Sequence, residues 1–326
     1  MKSIIFGMGQ DSYFLSKLLV ERGDHVIGCH RHTYNSSGQF NDFPENMDII
    51  YCDMMDAKSI ADLIKDEVPE EIYNLAANSF VGDSFKSPAQ VLSNNIISHT
   101  NLLEAVKTFS PNTKIYYAGS SEEIDITSPY GVSKDAVRHL NDIYHDSYGM
   151  FIIHAQNFNH TSWRHSQKFL VGKVCKYVAD LSRWLLKHEI MDTKGAVIQG
   201  RSKFTDNQFS WIPKLELGYL GAYKDISYAE DIMKAAIILM GSNTSGTSNV
   251  GSSKLINMYG VLDYAFSYCN VDFNDFIIQN SSLNRPTETA PIYAQCDELR
   301  ELGWAPSVGV KELIKSIIDE YISRGL

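Results

Sequence analysis

Through the first half of the chain, short apolar runs bounded by glycine or asparagine alternate with longer amphipathic stretches. The runs Lys2–Phe6, His25–Cys29, Asp48–Tyr51, Glu71–Leu75, Lys114–Ala118 and Phe151–Gln156 have the length and the β-branched and aromatic content of buried strands. Between them, helical spacing of apolar positions predicts helices near Tyr13–Arg22, Ala57–Lys65, Ala89–Thr108 and Lys134–Tyr148. From about residue 163 the alternation fades, and helical stretches such as Phe169–Lys187 and Val310–Ser323 mix with loops rich in Gly, Ser and Asn. A helix around Tyr228–Met240 and a short strand near Thr247–Val250 return to the pattern of the first half.

Parallel strands need a crossover between them, so this alternation predicts an α/β fold: a Rossmann-type doubly wound parallel sheet with a smaller C-terminal substrate-binding lobe. The expected division is residues 1–165 with 222–252 for the sheet domain, and 166–221 with 253–326 for the lobe. Composition then narrows the function. The hydrophobic share of 44% and charged share of 21% are those of a globular protein. No apolar run approaches the ~18 residues that span a bilayer, so no membrane role is expected. Met1–Gly7 reads as a strand and not as a secretory signal, which makes the cytoplasm the expected location. A net charge of −10 argues against nucleic acid as a general partner. The five scattered cysteines lack metal or dithiol spacing and read as buried thiols, so no metal is expected.

Candidate chemistry begins where the first strand runs into Gly7-Met8-Gly9-Gln10-Asp11-Ser12 and then an apolar-periodic helix. Glycines there let the backbone turn tightly and approach a pyrophosphate seated on the helix N-terminus. The second strand ends at Cys29-His30-Arg31-His32. An acidic residue there would bind a ribose 2′-hydroxyl, whereas a cation suits a 2′-phosphate, so Arg31 favours NADP over NAD. Asp53, past the third strand, could receive the adenine amino group, and Leu75-Ala76-Ala77, past the fourth, would let a dinucleotide lie close. The sharpest signal is Tyr130-Gly131-Val132-Ser133-Lys134, with Ser120-Ser121-Glu122 at the fifth strand's end. Tyr and Lys four apart share a helix face, so the ammonium is expected to lower the phenol from its reference pKa of about 10 and help it act as a base. Ser120 can hydrogen-bond the same substrate oxygen.

The glycine turn, strand-end serine and YxxxK pair together resemble the extended short-chain dehydrogenases/reductases. Finer runs resemble the GDP-mannose 4,6-dehydratases: Gly9-Gln10-Asp11, Ile72-Tyr73-Asn74-Leu75, Ser79-Phe80-Val81, Phe158-Asn159-His160-Thr161-Ser162-Trp163-Arg164-His165, Lys224-Asp225 and Arg285-Pro286-Thr287-Glu288. The likeness extends over nearly the whole chain. It implies a catalytic set of Ser120, Glu122, Tyr130 and Lys134. NADP would be held by Gly7, Gly9, Gln10, Asp11, Arg31, Asp53, Met54, Leu75, Ala76, Ala77, Ser79, Tyr130, Lys134, His160 and His165. The nucleotide sugar, resembling GDP-mannose, would be held by Ser79, Val81, Asn159, Lys173, Lys224, Arg285 and Glu288. A homodimer or homotetramer is also implied.

Departures from the family pattern are visible in the sequence. The glycine turn is one residue short and ends in Ser12. Ser120 stands for a threonine, His165 and Lys224 for arginines, and His32 for the second of two arginines at the NADP phosphate. Glu122 and Tyr130 lack the long loop usually between them, and extra residues lie between Arg183 and Leu215. The implied mechanism has Tyr130 take the sugar's 4-hydroxyl proton during oxidation at C4. Glu122 then removes the C5 proton and helps the 6-hydroxyl leave as water. Under period-2 geometry Ser120 and Glu122 project to one side and Glu123 turns to solvent. The competing readings are an epimerase or decarboxylase on the same scaffold and a non-catalytic NADP-binding regulator.

Overall fold

The computed structural model describes residues 1–31, 40–188 and 212–326; His32 and most of the extra segment, 189–211, lie outside the described residues. The described chain divides into two compact units: Met1–His160 with Ala229–Ser253 and Ala294–Pro306, and Thr161–Tyr228 with Lys254–Tyr293 and Ser307–Leu326.

In the first unit, strands β1 (Lys2–Phe6), β2 (His25–His30), β3 (Asp48–Tyr51), β4 (Glu71–Asn74), β5 (Lys114–Ala118) and β6 (Ile152–Asn157) alternate with helices α1 (Gln10–Glu21), α2 (Ala57–Glu67), α3 (Val81–Lys86), α4 (Pro88–Leu92), α5 (Ser98–Phe109) and α6 (Pro129–Tyr148). A short strand β7 (Asn159–Thr161) leads the chain into the second unit. That unit contains α7 (Leu170–Lys187), β8 (Leu215–Leu217) and β9 (Tyr223–Tyr228). The chain returns to the first unit for α8 (Ala229–Gly241) and β10 (Gly246–Val250), and goes back to the second for β11 (Leu255–Asn257), α9 (Met258–Phe266) and β12 (Ile277–Gln279). Helix α10 (Asp297–Glu301) belongs to the first unit and α11 (Val310–Ser323) to the second.

The sheet of the first unit has seven strands in the order β10-β6-β5-β4-β1-β2-β3, all parallel. The order reverses direction between β1 and β4, which opens a crevice at the carboxyl ends of those strands. One core of this unit is apolar, with Ile4, Phe6, Ile72, Leu102, Leu103 and Ile115 fully buried. Residues 294–306, expected in the lobe, pack with the sheet unit: the Trp304 indole N–H donates to the Asp231 carbonyl at 2.8 Å, and the Cys296 thiol lies 3.5 Å from the Gly251 carbonyl. The second unit has its own core, in which α7, α9 and α11 bury Val174, Val178, Leu262, Phe266, Ile314 and Ile318.

Two helices differ from expectation in ways that matter for the site. Helix α6 starts at Pro129, because Ser128 caps it by accepting from Gly131 N at 3.1 Å and proline suits the first helical position. Tyr130 and Lys134 therefore both lie within its opening turns. The long helix expected over Ala89–Thr108 is broken by a π-helical segment, Ser93–Ile97, between α4 and α5. Such widened turns redirect side chains and recur at functional sites. Here Asn95 accepts from Asn78 N at 2.9 Å and donates to Ser133 Oγ at 2.9 Å, tying α6 to the loop after β4.

Candidate active site

The carboxyl ends of β1 to β4 enclose a cavity of about 280 Å³. Of the residues expected to bind a dinucleotide, Gly7, Arg31, Asp53, Met54, Ala76 and Ala77 line it. Gly7 is demanded twice. Its φ is +92°, and a Cβ there would lie 2.7 Å from the backbone N and Cα of Ala76. A Cβ at Gly9, the residue before α1, would meet nothing within 4 Å, so the opening of that helix is clear. Asp53 caps its own turn by accepting from Met55 N at 3.0 Å. Gln10, Asp11, Leu75 and Ser79 are not among the lining residues, whereas Phe40, Asn78, Asn95 and Ser98, which sequence reasoning did not single out, are.

Asp11 has a partner across the first unit. His160 donates from Nε2 to its carboxylate at 3.0 Å and from Nδ1 to the Phe158 carbonyl at 2.8 Å. Burial works against the imidazolium, but the Asp11 carboxylate and these hydrogen bonds outweigh it and raise the His160 pKa. His160 thus belongs to the glycine turn, as an ion-pair partner of Asp11.

Strand β5 ends at Ala118, and Ser120, Glu122, Tyr130 and Lys134 gather just beyond it, each less than a tenth exposed. The backbone does not continue as strand past Ser120. Residues Ser121–Glu123 form a 3-10 turn capped by Ser120, whose Oγ accepts from Glu122 N at 3.2 Å. Gly131 lets this turn sit on the start of α6, since a Cβ there would be 2.5 Å from the Glu122 carbonyl oxygen. Two expectations are therefore corrected. Ser120 and Glu122 are not alternate residues of a strand: Ser120 caps the turn that contains Glu122. Glu123 is buried and not solvated: its carboxylate accepts from Ser120 N at 3.2 Å and from His154 Nε2 at 3.0 Å.

The Tyr130–Lys134 pair also behaves differently from the spacing argument. The Lys134 ammonium donates to the Ala118 carbonyl at 2.6 Å and to Tyr117 Oη at 3.1 Å, and sits 5.8 Å from the Tyr130 ring centre. Burial brings its pKa down to about 8, with Glu123 opposing the fall. Burial holds the Tyr130 phenol well above its ordinary value, partly offset by Ser120 and reinforced by the charges of Glu122, Glu123 and Asp11. With the site in this state the phenolic proton stays on.

Of the expected sugar-binding residues, Val81 is buried in a small cluster with Val91 and Tyr130, while Asn159 and Ser79 are exposed. The second unit carries the others. There Lys173 donates to the Glu216 carbonyl at 2.8 Å and Lys224 to Thr289 Oγ1 at 2.6 Å, beside Glu288. Arg285 and Glu288 are partly exposed. His165 stacks on Phe169 with ring centres 4.1 Å apart and bonds Thr161 Oγ1 at 3.0 Å. Among the described residues no helix is long and apolar enough to cross a membrane.

A seven-stranded parallel sheet with a glycine turn after β1 and a Ser…Tyr-x-x-x-Lys set after β5 is the fold of the extended short-chain dehydrogenases/reductases. Solved structures agree. The UDP-glucose 4-epimerase of Thermotoga maritima superposes with a TM-score of 0.81 over 100% of both chains at 16% identity. The dTDP-glucose 4,6-dehydratase of Bacillus anthracis, in complex with NAD, superposes with a TM-score of 0.78 over 99% of this chain and 93% of that one at 14% identity. Residues 4–192, more than half the sequence, match the GDP-mannose 4,6 dehydratase family, and the chain belongs to that family of lyases. GDP-mannose 4,6 dehydratase 2 of Arabidopsis thaliana is 28% identical over 339 aligned residues, covering 96% of this chain and 84% of that protein.

Proposed function

We propose that the protein is an NADP-dependent nucleotide-sugar 4,6-dehydratase that converts GDP-mannose to GDP-4-keto-6-deoxymannose. The observation that carries this reading is the buried Glu122 side chain in the same turn as Ser120, with its charge acting on the Tyr130 phenol, in a chain of this family. Oxidation at C4 alone, as an epimerase performs it, needs Ser120, Tyr130 and Lys134. A further buried carboxylate beside them is costly unless it has a task, and elimination across C5 and C6 supplies one.

The open glycine turn, the close approach of Gly7 to Ala76 and the Arg31 cation at the cavity rim fit a nicotinamide dinucleotide carrying a 2′-phosphate. Gly7, Arg31, Asp53 and Ala76 would hold that cofactor, which would supply hydride acceptance and return for the sugar. The chain's own residues handle the protons. Ser120 orients the 4-oxygen, Tyr130 takes its proton, and the Lys134 charge favours the phenolate while that happens. Glu122 receives the C5 proton once the 4-ketone has acidified it, and gives a proton to the departing 6-hydroxyl. Lys173, Lys224, Arg285 and Glu288 of the second unit are the proposed holders of the nucleotide and sugar. Incubating the protein with GDP-mannose, other nucleotide sugars and NADP, then weighing the products, tests the reading. Loss of one water supports it; unchanged mass or loss of carbon dioxide would move the assignment to an epimerase or decarboxylase.

A further inference from the structure

Behind the reacting groups lies a row of buried polar side chains that the mechanism above does not use. It runs from Asn74 at the end of β4 through His99 on α5, Asn141 on α6 and His154 on β6 to Glu123 in the 3-10 turn, each no more than 5% exposed. The successive contacts are Asn74 Nδ2 to His99 Nδ1 at 2.9 Å, His99 Nε2 to Asn141 Oδ1 at 2.7 Å, Asn141 Nδ2 to His154 Nδ1 at 3.0 Å, and His154 Nε2 to Glu123 at 3.0 Å. Tyr117 fills the space between the two imidazoles, with ring centres 4.4 Å from His99 and 5.3 Å from His154, and its hydroxyl receives the Lys134 ammonium.

One backbone group fixes the direction of the whole row. The Ala76 N–H, which can only donate, points at Asn74 from 3.2 Å, so the atom it meets is the amide oxygen and the other is the NH₂. That NH₂ needs an acceptor, which makes His99 Nδ1 bare and places its proton on Nε2. The same step repeats through Asn141, leaving His154 with a bare Nδ1 and a proton on Nε2 aimed at the carboxylate. Burial, with the nearby Lys134 and His154, takes His99 down to about 3 despite its bond to Asn141, so this ring stays neutral. Reversing the row to suit a protonated Glu123 would set the Asn74 NH₂ against the Ala76 N–H. Aligned donors of this kind reinforce one another in a low-dielectric interior, and the row ends on the Glu123 side-chain oxygens. Gly119 makes room for its end, since a Cβ there would sit 2.6 Å from His154 Nε2 and 2.9 Å from Glu123 Oε1.

We propose that Glu123 is a positioning residue for the reaction: held at the end of the one-way row from Asn74 to His154, it anchors the Ser120–Glu122 turn and sets the electrostatic surroundings of Lys134. The role rests on reading Ser120, Glu122, Tyr130 and Lys134 as the reacting set. Through Ala76 and Ser120, the row joins a lining residue of the cofactor cavity to the turn that carries the acid–base groups. The titratable groups that interact with Lys134 among the described residues include Tyr130 on its own helix, Tyr117 on β5, His99 on α5 and Glu123 in the turn.

The test is the titration of Lys134, followed by NMR on the full-length protein carrying ¹³Cε-labelled lysine and assigned with Lys134→Met. In Glu123→Gln, which keeps an acceptor for Ser120 N and His154, the Lys134 midpoint should fall by about one pH unit, the usual effect of removing a nearby opposite charge. The alkaline limb of the pH–kcat profile should move with it, with KM for the nucleotide sugar little changed. A merely structural role would lower the rate alike at every pH. An unchanged Lys134 midpoint overturns the proposal. Should Glu123→Gln fail to fold, ¹⁵N spectra of the unaltered protein decide: His99 neutral with its proton on Nε2 from pH 6 to 8 is the result expected, and a proton on its Nδ1 refutes it. Failure of the dehydratase reading looks different, as a protein that transforms no nucleotide sugar yet retains the Lys134 shift.

Discussion

His99 should make the protein lose stability in mild acid. The ring is fully buried, bonded on both nitrogens, and held near pKa 3 where the free side chain titrates at 6.5. The folded state therefore refuses a proton that the unfolded chain accepts. The stability this neutral histidine contributes is whole above pH 6.5 and is lost as pH falls from there towards 3. Between pH 7.5 and pH 5 the loss comes to about 2 kcal/mol, at about 1.4 kcal/mol for each pH unit below the unfolded pKa. Urea unfolding at the two pH values, read from the transition that carries the first unit, measures it. His99→Gln offers an acceptor to Asn74 and a donor to Asn141 but cannot be protonated. Although less stable than the parent at pH 7.5, it should lose about 2 kcal/mol less on acidification. Equal acid sensitivity in both proteins would show that His99 is not held neutral, and the argument for the direction of the buried row would lose its support.

Arg31→Ala should weaken NADP binding at least tenfold, from a lost charge-assisted contact of about 1.5–3 kcal/mol, and leave NAD nearly untouched; titration calorimetry with both cofactors would show equal losses if Arg31 has no part in reading the phosphate. Glu122→Gln should still oxidise the sugar at C4 in a single turnover, while exchange of the C5 hydrogen with deuterated water and release of 6-deoxy product fall by roughly 10²–10⁴-fold. Near-normal dehydration would remove Glu122 from the role of base. Gly119→Ala forces a methyl to within 2.7 Å of the Ala155 carbonyl and against His154. It should cost about 1–3 kcal/mol in thermal or chemical unfolding, and a neutral result would contradict the close packing at the end of β5.

Much of the first unit is legible in the alternation of apolar runs. Strands β1, β3 and β5 begin and end at the expected residues, because each is a short apolar run closed by a residue that leaves the ladder. Helix starts are less legible: apolar periodicity begins only after the capping turn, which is why α6 opens at Pro129 and not at Lys134. The π-helical break at Ser93–Ile97 leaves no glycine or proline to announce it; the adjacent Asn94 and Asn95 are its only mark. The proposed reacting residues are readable because Ser120, Tyr130 and Lys134 lie close in sequence at a strand–helix junction. Glu123 and its row are not, since Asn74, His99, Asn141 and His154 meet only through the sheet and the packing of α5 and α6. One signal was available: His154 stands between the apolar Ile153 and Ala155 in a buried part of β6, and His99 shares a buried helix face with Leu102 and Leu103. A polar residue where periodicity demands an apolar one marks a partner elsewhere in the chain.

The central claim is that one site oxidises C4 and then passes the same hydrogen to C6 after water has left. GDP-mannose carrying deuterium at C4, incubated with the protein and NADP and analysed by NMR of the product, tests it most directly. The account predicts a 4-keto-6-deoxy sugar with the deuterium in its C6 methyl group. Deuterium remaining at or returned to C4, with the 6-hydroxyl still in place, would contradict it.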